Sequence, residues 1–171
     1  RNIDFPGSIP FLTALLEKAG EENIDYVENL TQVKKDYDVA VVVYGEQPYA
    51  EGVGDRQNLN FDGSRHISAL NLLKKKKIPT VSIFLTGRQL WVTREINLSD
   101  SFVVAWLPGT ESRGMTDVLF HNGINDYDFS GKLPFSWPRN TKQANLNYFD
   151  ATSNPLFNFG FGLTYQDEIN I

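Results

Sequence analysis

Residues Val39 to Tyr44 form an unbroken apolar run dominated by β-branched side chains, and the run ends in a glycine- and proline-bearing loop that extends from Gly45 to Gly63. A continuous run of this kind predicts a strand covered on both faces, which in practice means a parallel sheet flanked by helices. Two further runs, Val81 to Leu85 and Phe102 to Trp106, read the same way. Between and around them lie helical patterns. Phe11, Leu12, Leu15, Leu16 and Ala19 share one face of a helix that Ser8 should cap and Gly20 should stop. Ile67, Leu70 and Leu73 line a second helix, opened by Ser64 as N-cap and closed by Lys74 to Lys77 ahead of Pro79, with the cations at the favourable end of the helix dipole. Met115, Val118 and Leu119 mark a third helix, with Gly123 as its stop, and a last short strand is expected near Leu133 to Phe135. The order strand, helix, strand, strand, helix, strand predicts a three-layer α/β/α sandwich with a mainly parallel central sheet and flavodoxin-like layering.

With 171 residues, 41% hydrophobic and 22% charged, the chain suits a single domain over residues 1–171 with an ordinary core. No apolar run approaches the length of a membrane span. The net charge of −5 has the wrong sign for phosphate-backbone binding, so no nucleic-acid partner is expected. Without cysteine there is no thiol nucleophile and no thiolate metal site. A first residue of arginine, Arg1, suggests a processed or excised piece.

Three loops follow strand ends: Gly45 to Gly63, Thr86 to Arg88, and Pro108 to Gly114. The first holds three carboxylates (Glu46, Glu51, Asp55) and three glycines (Gly45, Gly52, Gly54) within eleven residues. It lacks the alternating aspartates of a calcium loop. A plain solvated loop and a single acid–base carboxyl both fit its composition, the latter because a glycine-flanked Glu51 can be presented into a cleft. Gly52-Val53-Gly54 does not open a helix and lacks the third glycine of a dinucleotide fingerprint; no phosphate loop and no nucleophile elbow occur. His66 and His121 stand far apart on predicted helices, a placement that suits satisfied histidines better than zinc ligands. No metal and no cofactor are expected.

The loops, taken in order, resemble those of one family. Val41-Val42-Val43-Tyr44-Gly45-Glu46-Gln47-Pro48-Tyr49-Ala50-Glu51-Gly52-Val53-Gly54-Asp55, then Thr86-Gly87-Arg88, then Ala105-Trp106-Leu107-Pro108-Gly109-Thr110-Glu111-Ser112-Arg113-Gly114 follow its pattern. Gly131-Lys132-Leu133-Pro134-Phe135-Ser136-Trp137-Pro138 and the tail Phe159-Gly160-Phe161-Gly162-Leu163-Thr164-Tyr165 complete the set. The chain resembles, from about Ile9 to Tyr165, the carboxyl-terminal α/β sandwich domain of glycoside hydrolase family 3, the β-glucosidases and exo-β-glucanases.

That resemblance implies a retaining, exo-acting hydrolase of β-glucosides or β-glucans, active in carbohydrate metabolism and polysaccharide degradation. The second glutamate of the G-E-x-P-Y-x-E loop, Glu51, would be the catalytic acid/base, with Glu46 as the nearest rival and a better fit to a buried structural carboxylate. The nucleophile would be an aspartate on a preceding (β/α)₈ barrel, which has no counterpart here. The tryptophan with which exo-glucanases clamp the sugar also lies upstream in the family, and no tryptophan precedes Trp91. Retention needs two carboxyl groups about 5–5.5 Å apart, so the isolated chain is expected to be inactive. An exposed glutamate has a pKa near ~4.3, and the elevation an acid needs would have to come from docking on the barrel. Asp55 could organise the loop by accepting backbone N–H bonds, and Arg88 suits an ion pair at a strand end. Glu111 suits a cap or an arginine partner of the third helix. Tyr49 and Trp106 are candidates to stack on a sugar, whereas Trp91, Trp137 and the aromatic tail suit packing. A periplasmic or secreted parent enzyme fits the family. The competing expectation is a non-catalytic module that binds carbohydrate or scaffolds a partner.

Overall fold

The computed structural model describes residues 4–34, 36–120, 127–150 and 153–167. These divide into two compact units: Asn29–Trp106 with Lys132–Phe161, and Arg1–Glu28 with Leu107–Gly131 and Gly162–Ile171.

The first unit is built on three parallel strands, β1 (Ala40–Gly45), β2 (Thr80–Leu85) and β3 (Ser101–Trp106), in the order β1-β2-β3. Ala40 pairs with Thr80 and Gly45 with Leu85, so β1 and β2 end level. β2 and β3 run in step from Val81 and Ser101 until an irregularity between Phe84 and Leu85. Because parallel neighbours need a crossover, each pair is joined through a helix. That helix is α2 (Ser64–Lys76) for β1 to β2, and α3 (Thr93–Asn97) for β2 to β3. The sequence pattern predicts no helix between β2 and β3; the five residues of α3 are too few to display a helical period.

The strand covered on both faces is β2, where Ser82, Ile83 and Phe84 are inaccessible to solvent. β1 differs from expectation. It is an outer strand, and Val41 and Val43 on one of its faces remain 38% and 42% exposed. The core of this unit gathers Leu59, Phe61, Phe84, Leu90, Val92 and Trp137. α2 begins at Ser64, but the N-cap is Gly63 and no side chain caps it; Lys77, in the left-handed region at φ 59°, ends the helix through bonds to the Leu73 and Lys74 carbonyls. The strand expected near Leu133 does not form. Leu133 instead donates its N–H to Phe161 and accepts from Gly160, and Trp137 exchanges bonds with Phe157 and Leu156. Pro134 and Pro138 lack the donors a ladder would need. Phe157 stacks on Phe161 at 4.4 Å, so this part of the aromatic tail packs as expected.

The second unit holds α1 (Phe11–Ala19) and α4 (Arg113–Leu119). Gly20, at φ 87°, stops α1 as expected, whereas Pro10 rather than Ser8 occupies the N-cap position and no side chain caps the helix. Lys18 reaches Asp117 at 2.7 Å, and Arg113 holds both oxygens of Glu17. The Arg113 hydrogen bond draws the Glu17 carboxyl below its ordinary value. On α4 Thr116 is the buried residue, with Met115, Val118 and Leu119 half-buried beside it. Gly123 and His121 lie outside the described residues.

Candidate active-site loop

The loop beyond β1 has a root and a tip. At the root, Gly45 lies so close to Leu85 that a Cβ would meet its carbonyl oxygen, which is why a glycine ends the strand. The ladder runs one residue further, with Glu46 N–H donating to Leu85 O at 3.1 Å, so the Glu46 side chain is set by the sheet itself. Its carboxylate is almost fully covered and both oxygens are occupied. Two guanidinium N–H groups of Arg88 converge on Oε1, at 3.0 and 2.7 Å, and the Thr86 hydroxyl lies 2.8 Å from Oε2. Thr86 also accepts the Arg88 N–H at 3.2 Å and stands 2.7 Å from the Arg88 carbonyl, its one hydroxyl proton serving either acceptor.

At the tip the chain turns tightly. Gly54 N–H donates to Ala50 O at 2.7 Å, Val53 to Glu51 O at 2.9 Å and Asp55 to Gly52 O at 3.1 Å. Gly52 adopts φ 77°, which a side chain would strain, and a Cβ on Gly54 would fall 2.6 Å from the Tyr49 ring. Glu51 sits in this turn with its side chain exposed. Asp55 departs from expectation: its carboxylate is exposed and accepts no backbone N–H among the described residues, and the turn is closed by backbone bonds instead.

Tyr49 is half-exposed and lies flat against the Arg88 guanidinium, whose carbon is 4.1 Å from the ring centroid. Trp106, at the end of β3 with φ 53°, sets its ring edge-on to Phe135 at 5.5 Å and against Trp137 at 6.0 Å. That packing occupies the ring with neighbouring aromatics. Trp137 is buried in the core, and Trp91 carries Arg94 over its face at 5.2 Å. Glu111 precedes α4 in the other unit; it makes a bridge with Ile9 and caps nothing through its side chain, though its charge is felt by Arg113.

Beneath the sheet's aromatic layer lies a buried cluster that the sequence did not announce. Glu95, on α3, is inaccessible to solvent and 3.0 Å from His66 Nε2, and the His66 ring stacks on Tyr44 at 4.5 Å and on Phe61 at 4.9 Å. Glu95 stands among Thr93, Arg94 and Asn97, so nothing local in the sequence marks it as buried. His66 is thus a satisfied histidine, and among the described residues no three acidic or histidine side chains group as metal ligands. Burial pushes the Tyr44 phenol well above its ordinary value; the Glu95 charge adds to this, and the Ser82 hydroxyl offsets part of it. The unfolded chain releases this proton from about pH 10 upward while the folded chain keeps it. Stability should therefore fall as pH rises above ~10, and Tyr44→Phe should flatten that fall, as read from urea midpoints across alkaline pH. Equal slopes in the two proteins would contradict it.

A parallel α/β domain that presents an exposed glutamate, Glu51, on a braced loop beyond a strand end is the class these observations define. The profile of the glycosyl hydrolase family 3 C-terminal domain matches residues 4–165. The chain belongs to this family, and its fold is the family's three-layer α/β sandwich. The exo-1,3/1,4-beta-glucanase of a Pseudoalteromonas species superposes with a TM-score of 0.90 at 45% identity, over 99% of this chain and 22% of that one. A periplasmic beta-glucosidase of Salmonella typhimurium is 33% identical over 162 residues, 81% of this chain and 20% of its own length. A lysosomal beta glucosidase of Dictyostelium discoideum is 29% identical over 186 residues, 95% of this chain and 22% of its own. The chain therefore spans about a fifth of these relatives.

Proposed function

We propose that this chain acts as a single domain supplying the general acid/base, Glu51, to a retaining exo-acting β-glucosidase or β-glucan hydrolase, whose nucleophile belongs to a (β/α)₈ barrel. The observation that carries the assignment is the contrast between the two loop glutamates. Glu46 has both oxygens committed to Arg88 and Thr86, whereas Glu51 is held in a closed turn with its carboxyl group exposed. Glu51 would protonate the departing glycosidic oxygen as the barrel carboxylate attacks the anomeric carbon. It would then take a proton from the water that hydrolyses the glycosyl-enzyme. The names of the relatives support a β-glucoside or β-glucan substrate, and the periplasmic and lysosomal ones support a periplasmic or secreted parent enzyme.

Alone, the chain should leave an aryl β-glucoside intact, since one carboxyl group cannot perform double displacement. Mixed with a family 3 barrel, it should restore turnover. Hydrolysis by the chain alone would overturn the shared-site reading. Demonstrated association without turnover would favour a carbohydrate-binding or scaffolding module instead.

A further inference from the structure

We infer that Arg88 is the positioning residue for Glu51, a latch that holds the root and both flanks of the turn through one guanidinium group; the inference rests on Glu51 being the acid/base. Three contacts fall on three parts of the same loop. Nε and one terminal nitrogen grip Glu46 Oε1 where the loop leaves the sheet. The other terminal nitrogen donates to the Gly54 carbonyl, three residues after Glu51. The plane of the group supports the Tyr49 ring, two residues before it. The latch is itself anchored, because the Arg88 N–H and carbonyl both meet the buried Thr86 hydroxyl at the end of β2. The Tyr49 ring lies against Gly54 as well, so the guanidinium and the ring together close the two flanks on each other.

A planar group with N–H donors on separate edges and an aromatic-binding face can make these contacts at once. The point charge of a lysine cannot. Loss of the latch should let the turn open more often, breaking its own hydrogen bonds transiently and displacing Glu51, and a displacement near 1 Å at a reacting group can cost on the order of 10²-fold in rate. This role also gives Tyr49 a place as the outer cover of the guanidinium rather than as a sugar platform.

The test measures two quantities on the same variants. In the 171-residue chain, Arg88→Ala should accelerate amide exchange at Val53, Gly54 and Asp55 by on the order of tenfold to a hundredfold, the worth of a lost charge-assisted hydrogen bond. In the barrel-complemented chain, kcat should fall by about 10²-fold with KM little changed. Arg88→Lys should recover only part of either loss. Tyr49→Ala, a change at a half-exposed position that leaves the core untouched, should lower kcat in the same direction and less. Exchange at the three amides unchanged in Arg88→Ala would overturn the latch, as would a Tyr49→Ala effect confined to KM. Glu51→Gln serves as the separate control: full activity there would overturn the acid/base reading, whatever the exchange data say.

Discussion

Glu51→Gln should abolish the activity that this chain confers on a family 3 barrel, by on the order of 10²–10⁴-fold in kcat/KM for an alkyl or sugar leaving group. The amide keeps the size of the side chain and the exposed position in the turn, so association with the barrel should not change. What it removes is the proton that the leaving oxygen needs. An aryl glucoside with a very acidic phenol needs little protonation, so its first step should be spared and the glycosyl-enzyme should accumulate. A pre-steady-state burst followed by slow turnover is the expected record, with azide, a nucleophile that needs no base, accelerating the slow phase. Glu46→Gln should behave differently. It weakens the grip of Arg88 without taking away a reacting group, so turnover should fall and remain measurable, with no burst and no azide effect. Reversal of the two phenotypes would transfer the acid/base role to Glu46.

Phe84→Ala should be the most damaging of simple core truncations, costing about 3–5 kcal/mol. Phe84 is inaccessible near the carboxyl end of β2 and meets Phe61 edge-on at 4.9 Å, Tyr44 at 5.9 Å and Phe102 at 6.0 Å, so neighbours on both outer strands and on the loop before α2 lose a partner together. Two of those three rings, Tyr44 and Phe102, are held by strands and cannot collapse into the space, which favours the upper end of that range. Such a loss is a large part of the roughly 5–15 kcal/mol that a domain has. Urea denaturation of the whole chain, followed by tryptophan fluorescence, measures it. Val53→Ala, at a position 85% exposed, should stay within about 0.5 kcal/mol and serves as the reference. A midpoint for Phe84→Ala close to that of the reference would mean that the three-strand layer is not the cooperative core.

Much of the fold was legible because it rests on local periodicity. The three apolar runs became β1, β2 and β3 almost residue for residue, and α1, α2 and the start of α4 lie where the helical spacing placed them. Misreadings cluster where local signal is weak. α3 spans under two turns, and the caps assigned to Ser8 and Ser64 failed because the helices start elsewhere, with Pro10 and Gly63 at the N-cap positions. The expected cover on both faces of β1 failed for a different reason. A β-branched run says that a residue prefers a sheet, but whether the strand lies at the centre or the edge depends on pairing with Val81 and its neighbours about forty residues away.

The candidate site divides along the same line. Its loop, its glycines and its two glutamates could be read in order from the chain, since turn chemistry and strand ends are local, and Gly52 and Gly54 are where the turn requires them. The place of Glu46 at the strand end already suited a buried structural carboxylate. What buries it could not be read, because only the parallel pairing of β1 with β2 brings Thr86 and Arg88 beside Glu46 and leaves Glu51 outside. The burial of Glu95 against His66, and the raised Tyr44 phenol above them, belong to the same category. Sequence by itself determined the kinds of groups and the elements that carry them, because both follow from short-range sterics and hydrophobic period. Tertiary structure decided which of those groups spend their charge on one another and which remain free to act, because that depends on distances between residues far apart along the chain.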